Sequence, residues 1–246
     1  MSRLRNLVGH RVIVDRAPRL GRAVTGVAYE CGLVKEEVAR RHLLDRRPRG
    51  DGSRLEFLDL GAGEGNLDYL LDIDRNLTRL PAPAAEANRT RFNELYNYTG
   101  LELTASRPDF VGADICSLEL QRTQPKLREG FDAVYSNNVF EHLRRPWIAA
   151  ENIVWLLRPG GICITIAPFS LRYHESPADY FRYTHTGLAS LFEDTGKVRT
   201  LESGYDTTGR RNDWQGSGAT NDACPEDHFG AWRENWFTVA VIEKAT

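Results

Sequence analysis

An apolar strand runs straight into a glycine-rich turn at Glu56-Phe57-Leu58-Asp59-Leu60-Gly61-Ala62-Gly63-Glu64-Gly65-Asn66, and the apolar positions Leu67, Leu70 and Leu71 follow it. Glycine has no Cβ, so the backbone can turn sharply there and a ligand can approach it closely. A helix that starts after the turn would also offer unpaired N–H groups. A tight strand-to-helix turn without any ligand has the same pattern, and the glycine spacing narrows the remaining choices. A dinucleotide-binding turn needs a small residue at the sixth position of G-x-G-x-x-G, where this chain has Asn66, so nicotinamide binding is disfavoured. A phosphate loop of the Walker type is excluded because no Gly-Lys-Ser or Gly-Lys-Thr follows.

Short apolar runs recur at Leu55–Leu60, Tyr98–Leu101, Phe110–Val111, Phe131–Tyr135 and Gly161–Ala167, with longer helical patterns between them. That alternation predicts βα units and a parallel sheet covered on both faces. The clearest helix is Trp147–Leu157, stopped by Arg158-Pro159-Gly160-Gly161, a cation, a proline and two glycines. Beyond Ala167 the pattern predicts a helix over Thr186–Thr195, a strand at Val198–Leu201 and a final strand at Trp236–Ile242. Between the last two lies a long polar stretch, about 206–235, of a length typical of lids, binding loops or disordered segments.

Residues 22–44 show an irregular helical pattern interrupted by Gly26 and Gly32. The charged, breaker-rich segment 46–53 reads as an exposed connection. The division predicted is therefore a basic helical lead-in over 1–53 and one main domain over 54–246. Residues 1–50 hold 12 Lys+Arg against 5 Asp+Glu, a balance of +7, and the remainder balances at −9, for a net charge of −2. Such a chain has no global basic field of the kind that non-specific nucleic-acid binding uses, and the basic N-terminus reads first as a solvated helical face. Cys31, Cys116, Cys163 and Cys224 form no C-x-x-C pair, which points to neither a zinc site nor a disulfide framework and suits a reducing cytoplasm. No apolar segment has the length of a membrane span, and no apolar leader segment is visible near the N-terminus. A homodimer is compatible with the sequence.

Asp59 to Gly65 resembles the first motif of the class I S-adenosylmethionine-dependent methyltransferases, an acidic residue followed by x-G-x-G-x-G at the end of the first strand. The resemblance covers about residues 54–200 and implies a Rossmann-like, mostly parallel twisted sheet of about seven strands, the last antiparallel, flanked by helices. It implies that Gly61, Ala62, Gly63 and Gly65 pack on the methionine part of S-adenosylmethionine, with Asp59 near its amino group. Glu102 resembles the acidic residue that ends the second strand and binds both ribose hydroxyls, a task suited to a carboxylate with two acceptor oxygens; Leu103 follows it. Glu102 lies 41 positions after Gly61, against about 20 in dinucleotide folds, which requires an insertion around 74–93. Asp114 resembles the residue that reaches the adenine amino group, with Ile115 packing on the ring; a helix-capping aspartate would look the same. Phe131 to Leu143, including Asn137, resembles the fourth strand and the turn after it. Leu157-Arg158-Pro159-Gly160-Gly161 resembles a further family signature.

Methyl transfer needs an in-line nucleophile near the sulfonium, and a base only when the acceptor must lose a proton. Two histidines are candidates: His142, after the fourth strand, and His174, the first choice because its ordinary pKa lies near neutrality. His174 belongs to a polar and aromatic cluster with Tyr173, Asp179, Tyr180 and Arg182, expected to bind the acceptor or orient the loop. This segment resembles that of bacterial methyltransferases in sugar, glycan and secondary-metabolite pathways. Asp222, Asp227 and His228 have no recognised ligand spacing, so no required metal is expected. The function expected is methyl transfer from S-adenosylmethionine, leaving S-adenosylhomocysteine, to a hydroxyl of a small molecule such as a sugar or natural-product intermediate. N- or C-methylation is the alternative, ahead of an RNA methyltransferase or a non-catalytic cofactor-binding module. Ser136-Asn137-Asn138-Val139 stands where base-amine methyltransferases carry Asn-Pro-Pro-Tyr.

Overall fold

Leu55–Leu60, the strand that feeds the glycine turn, lies inside a nine-stranded sheet with neighbours on both sides. The computed structural model describes residues 19–22, 28–63, 66–72, 79–171, 173–174, 177–206 and 236–246. Its strands in chain order are β1 (Arg19–Arg22), β2 (Ala28–Leu33), β3 (Leu55–Leu60), β4 (Tyr96–Glu102), β5 (Phe110–Gly112), β6 (Phe131–Asn137), β7 (Leu157–Ser170), β8 (Val198–Asp206) and β9 (Trp236–Lys244). The helices are α1 (Lys35–Leu44), α2 (Asn66–Asp72), α3 (Ala82–Leu95), the short α4 (Leu120–Thr123), α5 (Pro146–Leu156) and α6 (His185–Glu193). Across the sheet the order is β1-β2-β8-β9-β7-β6-β3-β4-β5. Strands β3 to β8 run parallel, and β9 lies antiparallel between β7 and β8. The seven strands from β3 onward are the Rossmann-like sheet that the resemblance implied.

Alternation along the strands sorts the core into two layers. On β3, Leu58 and Leu60 pack with α5 and α6 residues such as Ile153, Leu156, Leu188 and Phe192. Leu55 and Phe57 face the opposite layer, where α1, α2 and α3 supply Val38, Leu43, Leu70, Phe92 and Leu95. The strand order reverses at β3, which pairs with β4 on one side and β6 on the other, and open α/β folds bind ligands outside the carboxyl ends of the strands at such a point.

The sequence-based expectation of helix from residue 22 is corrected. Residues 28–33 form β2, which pairs in parallel with β8 and antiparallel with β1, and the helix starts at Lys35. The β8 edge offers backbone groups that a strand satisfies, and no local helical preference in a segment broken by Gly32 outweighs that pairing. β7 also runs longer than Gly161–Ala167, because β9 pairs with it as far as Ser170. The extra length between Gly61 and Glu102 contains α2 and α3. The polar stretch 207–235, and with it Asp222, Asp227 and His228, lies outside the described residues.

The amino-terminal ends of β3, β6 and β7 are tied through Asp132. Its Oδ2 accepts from Arg49 at 2.6 Å, from the Glu56 backbone N–H at 2.7 Å and from Arg158 at 2.7 Å. Asp132→Ala leaves two guanidinium groups and a strand amide without their shared acceptor, and a loss of about 2–3 kcal/mol is expected. Urea unfolding of the variant measures it; a change below about 0.5 kcal/mol would show that the three donors find water instead.

Candidate functional site

Asp59 sits one residue before the end of β3 and is fully buried. Its Oδ2 accepts from the Tyr98 hydroxyl at 3.2 Å, while Oδ1 is buried without a hydrogen-bond partner among the described residues. Burial pushes its pKa up to about 7, with the Tyr98 hydrogen bond opposing and the nearby Glu102 charge adding to the rise. A buried carboxylate with an unused oxygen is costly unless a donor comes to it, and a cationic donor suits it best.

The turn after β3 is shaped for close approach. Gly61 has φ +66°, a left-handed conformation, and a Cβ there would lie 2.6 Å from Val139 Cγ2. Its N–H bonds to the Leu101 carbonyl at 2.9 Å, tying the turn to the end of β4. Gly63 has φ +49° and open space where a Cβ would project, and its N–H donates to Glu102 Oε1 at 2.6 Å. Gly65 lies outside the described residues.

These residues wall a crevice of about 550 Å³, within the range of small-molecule sites. Leu60, Gly61 and Gly63 line it from β3 and its turn, Leu101, Glu102 and Leu103 from β4, and Ala113 to Cys116 from the loop after β5. Asp114 Oδ1 accepts from the Cys116 N–H at 2.8 Å, so the carboxylate also holds its own loop in shape. The buried Asn152 donates to the Ile115 and Ser117 carbonyls at 2.8 and 3.0 Å and anchors that loop to α5. Just after β6 it is Asn138, at φ +55°, that lines the crevice. Asn137 is buried at the strand end, and its Oδ1 has no hydrogen-bond partner among the described residues.

His142 and Tyr180 bound the same crevice from the far side, and behind them is a second polar group. Phe140–His142 forms one 3₁₀ turn. The Tyr180 N–H bonds to the Glu141 carbonyl at 2.8 Å, and the Tyr183 hydroxyl donates to the Phe140 carbonyl at 2.9 Å, which pins residues 178–183 against this turn. The rings of His142 and His174 meet edge to face at 4.9 Å between centroids. His142 Nδ1 lies 2.7 Å from the Ala178 carbonyl, and His174 Nδ1 lies 3.3 Å from Asp179 Oδ2. Both Nε2 atoms face Glu141 Oε1, at 3.7 and 4.0 Å. Glu141 is fully buried, and neither of its carboxylate oxygens has a hydrogen-bond partner among the described residues. Burial raises its pKa to about 7, against the pull of Arg182.

Tyr180 at 49 % and Tyr173 at 48 % exposure are accessible to a ligand. Asp179 and Arg182 are instead spent on one another: the guanidinium spans both carboxylate oxygens and also donates to the Leu171 carbonyl at 3.0 Å. Burial alone would raise the Asp179 pKa, but the Arg182 fork and the His174 N–H hold it below the usual carboxylate range. The pair therefore fixes the loop and His174. His174 does not line the crevice itself and meets it through His142. Sequence reasoning missed Tyr98, Asn138, Val139 and Glu141. Only Glu141 had a signal, its place beside His142, and a glutamate after a strand is ordinarily solvated.

The family model described as a methyltransferase domain matches residues 58–165, which carry the glycine turn, Glu102, Asp114 and His142. No protein of curated function is similar enough in sequence to count as a relative. Among solved structures, the YcgJ protein from Bacillus subtilis is 11% identical over 86% of this chain and 98% of its own, with a TM-score of 0.53. The cyclase SpnF is 17% identical over 85% of this chain and 82% of its own, with a TM-score of 0.50. A Burkholderia thailandensis 1,6-didemethyltoxoflavin-N1-methyltransferase, crystallised with 1,6-didemethyltoxoflavin and S-adenosylhomocysteine, is 15% identical over 99% of this chain and 87% of its own, with a TM-score of 0.46. At such identities the likeness speaks for the fold, which a cyclase also uses. No helix among the described residues is long and apolar enough to cross a membrane. The crevice lies at the reversal of strand order and is lined mostly by residues of the matched segment. Residues 58–165 form a methyltransferase domain of the kind that depends on S-adenosylmethionine.

Proposed function

We propose that this enzyme methylates a hydroxyl group of a small polar molecule such as a sugar or a natural-product intermediate. The observation that carries the reading is the buried Glu141 carboxylate, without a hydrogen-bond partner among the described residues, beside His142 and His174 and next to the crevice lined by Gly61 and Glu102. An amine can attack with its lone pair, whereas a hydroxyl must give up a proton as the new bond forms, so a proton-accepting group next to the crevice favours an oxygen nucleophile. When bound, S-adenosylmethionine supplies a methyl group activated on a sulfonium.

In this reading Asp59 receives the cofactor ammonium, Gly61, Ala62, Gly63 and Gly65 make room for its methionine part, and Glu102 takes the ribose. Leu103, Asp114 and Ile115 border the adenine, with Asn138 joining Asn137 at the end of β6. Tyr173 and Tyr180 contact the acceptor, and Asp179 and Arg182 position His174, the first candidate for drawing the hydroxyl proton, with His142 between it and the crevice. The buried free thiols of Cys116 and Cys163 suit a reducing, cytoplasmic setting.

The test uses cofactor carrying a ¹³C-methyl group and a panel of hydroxylated acceptors, with the product methyl identified by NMR. A methoxy carbon is expected, and an N-methyl or C-methyl product would overturn the reading. His174→Gln is expected to lower kcat by about 100-fold while cofactor affinity stays within about twofold. A chain that binds cofactor yet forms no S-adenosylhomocysteine above background with any acceptor would favour a non-catalytic module.

A further inference from the structure

We propose that Glu141, His142 and His174 hold a divalent transition-metal ion at the acceptor end of the crevice. One ligand atom from each of the three residues lies within 4.8 Å of the other two, and both histidine Nε2 atoms face Glu141 Oε1. The two histidine contacts to Glu141, 3.7 and 4.0 Å, are too long for hydrogen bonds. An ion with bonds of about 2.0–2.2 Å holds its ligand atoms roughly 3–3.5 Å apart, so a small contraction would bring all three onto one centre.

The surroundings have the chemistry of a metal site's outer layer. A carbonyl can only accept, so His142 Nδ1 donates to Ala178, which in the neutral ring leaves Nε2 with its lone pair. His174 has a carboxylate at Nδ1, Asp179, itself gripped by Arg182. Metal-bound histidines commonly give the second ring N–H to a carboxylate or carbonyl in this way. Glu141 is the strongest sign: a fully buried carboxylate with two unpartnered oxygens pays a desolvation cost that one positive ion would offset. Two imidazoles and one carboxylate suit zinc, manganese, iron(II) or cobalt(II) better than magnesium or calcium, which prefer all-oxygen sets.

The inference rests on the proposed hydroxyl methylation and makes it more specific. An ion bound here lies beside the crevice wall formed by His142. It would lower the pKa of a hydroxyl that reaches it, the proton passing to solvent water, and would make both histidines ligands in place of bases. The sequence-based expectation of no required metal rested on the spacing of Asp222, Asp227 and His228, whereas these three ligands come from segments 32 residues apart.

The test titrates the purified full-length chain, free of any affinity tag and stripped with a chelator, with Co²⁺ followed by its visible absorption and with Zn²⁺ in competition. One ion per chain is expected. Glu141→Gln and His174→Gln should each weaken binding by at least about tenfold, Asp179→Asn by about 10- to 100-fold, and His42→Gln, remote from the cluster, should leave it unchanged. Circular dichroism and thermal unfolding check that each variant is folded. Absence of bound ion in folded protein, or affinity unaltered in both Glu141→Gln and His174→Gln, would overturn the proposal. Calorimetry with S-adenosylmethionine on the same preparations separates the two readings. Cofactor binding without metal binding sinks only the ion site, and metal binding without cofactor binding sinks the methylation.

Discussion

Asp59→Asn is expected to make the protein more stable at pH 8 while lowering its affinity for S-adenosylmethionine by at least about 100-fold. The carboxylate is fully buried and has a pKa raised to about 7 from an ordinary 3.8. Raising an acid's folded pKa means that the ionised form is disfavoured in the fold. Below about pH 4 the group is neutral in both the folded and unfolded chain and contributes nothing. As pH rises from 4 to 7, the unfolded chain ionises first and stability falls; above 7 the deficit is complete, of order 4 kcal/mol for a shift of about three pH units. Asparagine removes that deficit but brings an amide with its own unmet hydrogen bonds, so a net gain of about 1–3 kcal/mol is expected at pH 8, vanishing toward pH 4. The binding loss follows because the ammonium partner is gone. In the parent protein, affinity should rise from pH 6 to pH 7.5 as Asp59 ionises, and this slope should be missing in the variant. Thermal unfolding and calorimetry across pH 5–8 measure both effects; a variant that loses stability at pH 8 yet keeps its affinity would show that Asp59 faces no cation.

The second large effect is expected from the two glycines on either side of Ala62, which should fail in different ways. A side chain at Gly61 would meet Val139 Cγ2 at 2.6 Å while the backbone sits at φ +66°. Val139 is β-branched and packs against the core, so it cannot swing aside without cost. Gly61→Val should therefore lose about 2–4 kcal/mol of stability and with it the shape of the turn. A Cβ at Gly63 finds only the Gly61 carbonyl, at 3.9 Å, although φ is +49°. Gly63→Arg should cost only about 1–2 kcal/mol of backbone strain, yet it projects into the crevice and should abolish S-adenosylmethionine binding. Unfolding and calorimetry on both variants, with NAD as a ligand control, separate the two mechanisms. Undiminished cofactor affinity in folded Gly63→Arg would place the cofactor elsewhere.

Asp59 and the glycine turn were legible from the sequence because the relevant constraints are local: a strand ends, the backbone must take φ above zero, and an acid stands two residues before the first glycine. The five parallel strands from Leu55 onward were legible for a similar reason, since residues buried on both faces of a sheet make continuous apolar runs. Residues 28–33 were not. Their strand identity comes from pairing with β8, which lies about 170 residues later, and neighbours in the chain carry no trace of that partner.

The polar cluster divides along the same line. His142 and His174 were chosen from residue type and nearness to strand ends, and Tyr180 from its place in an aromatic segment, all of which a sequence displays. Arg182 and Asp179 looked equally available for a substrate until the fold closed them on each other. Glu141 looked like a surface acid until the Tyr180 and Tyr183 hydrogen bonds brought the second segment over it. The sequence by itself determined the glycine turn, the sheet class and the acids at the strand ends, because each follows from backbone conformation or burial periodicity over a few residues. Tertiary structure alone decided which charged groups are neutralised within the protein and which are left buried with lone pairs unmet, because desolvation and partnering depend on segments distant in the chain.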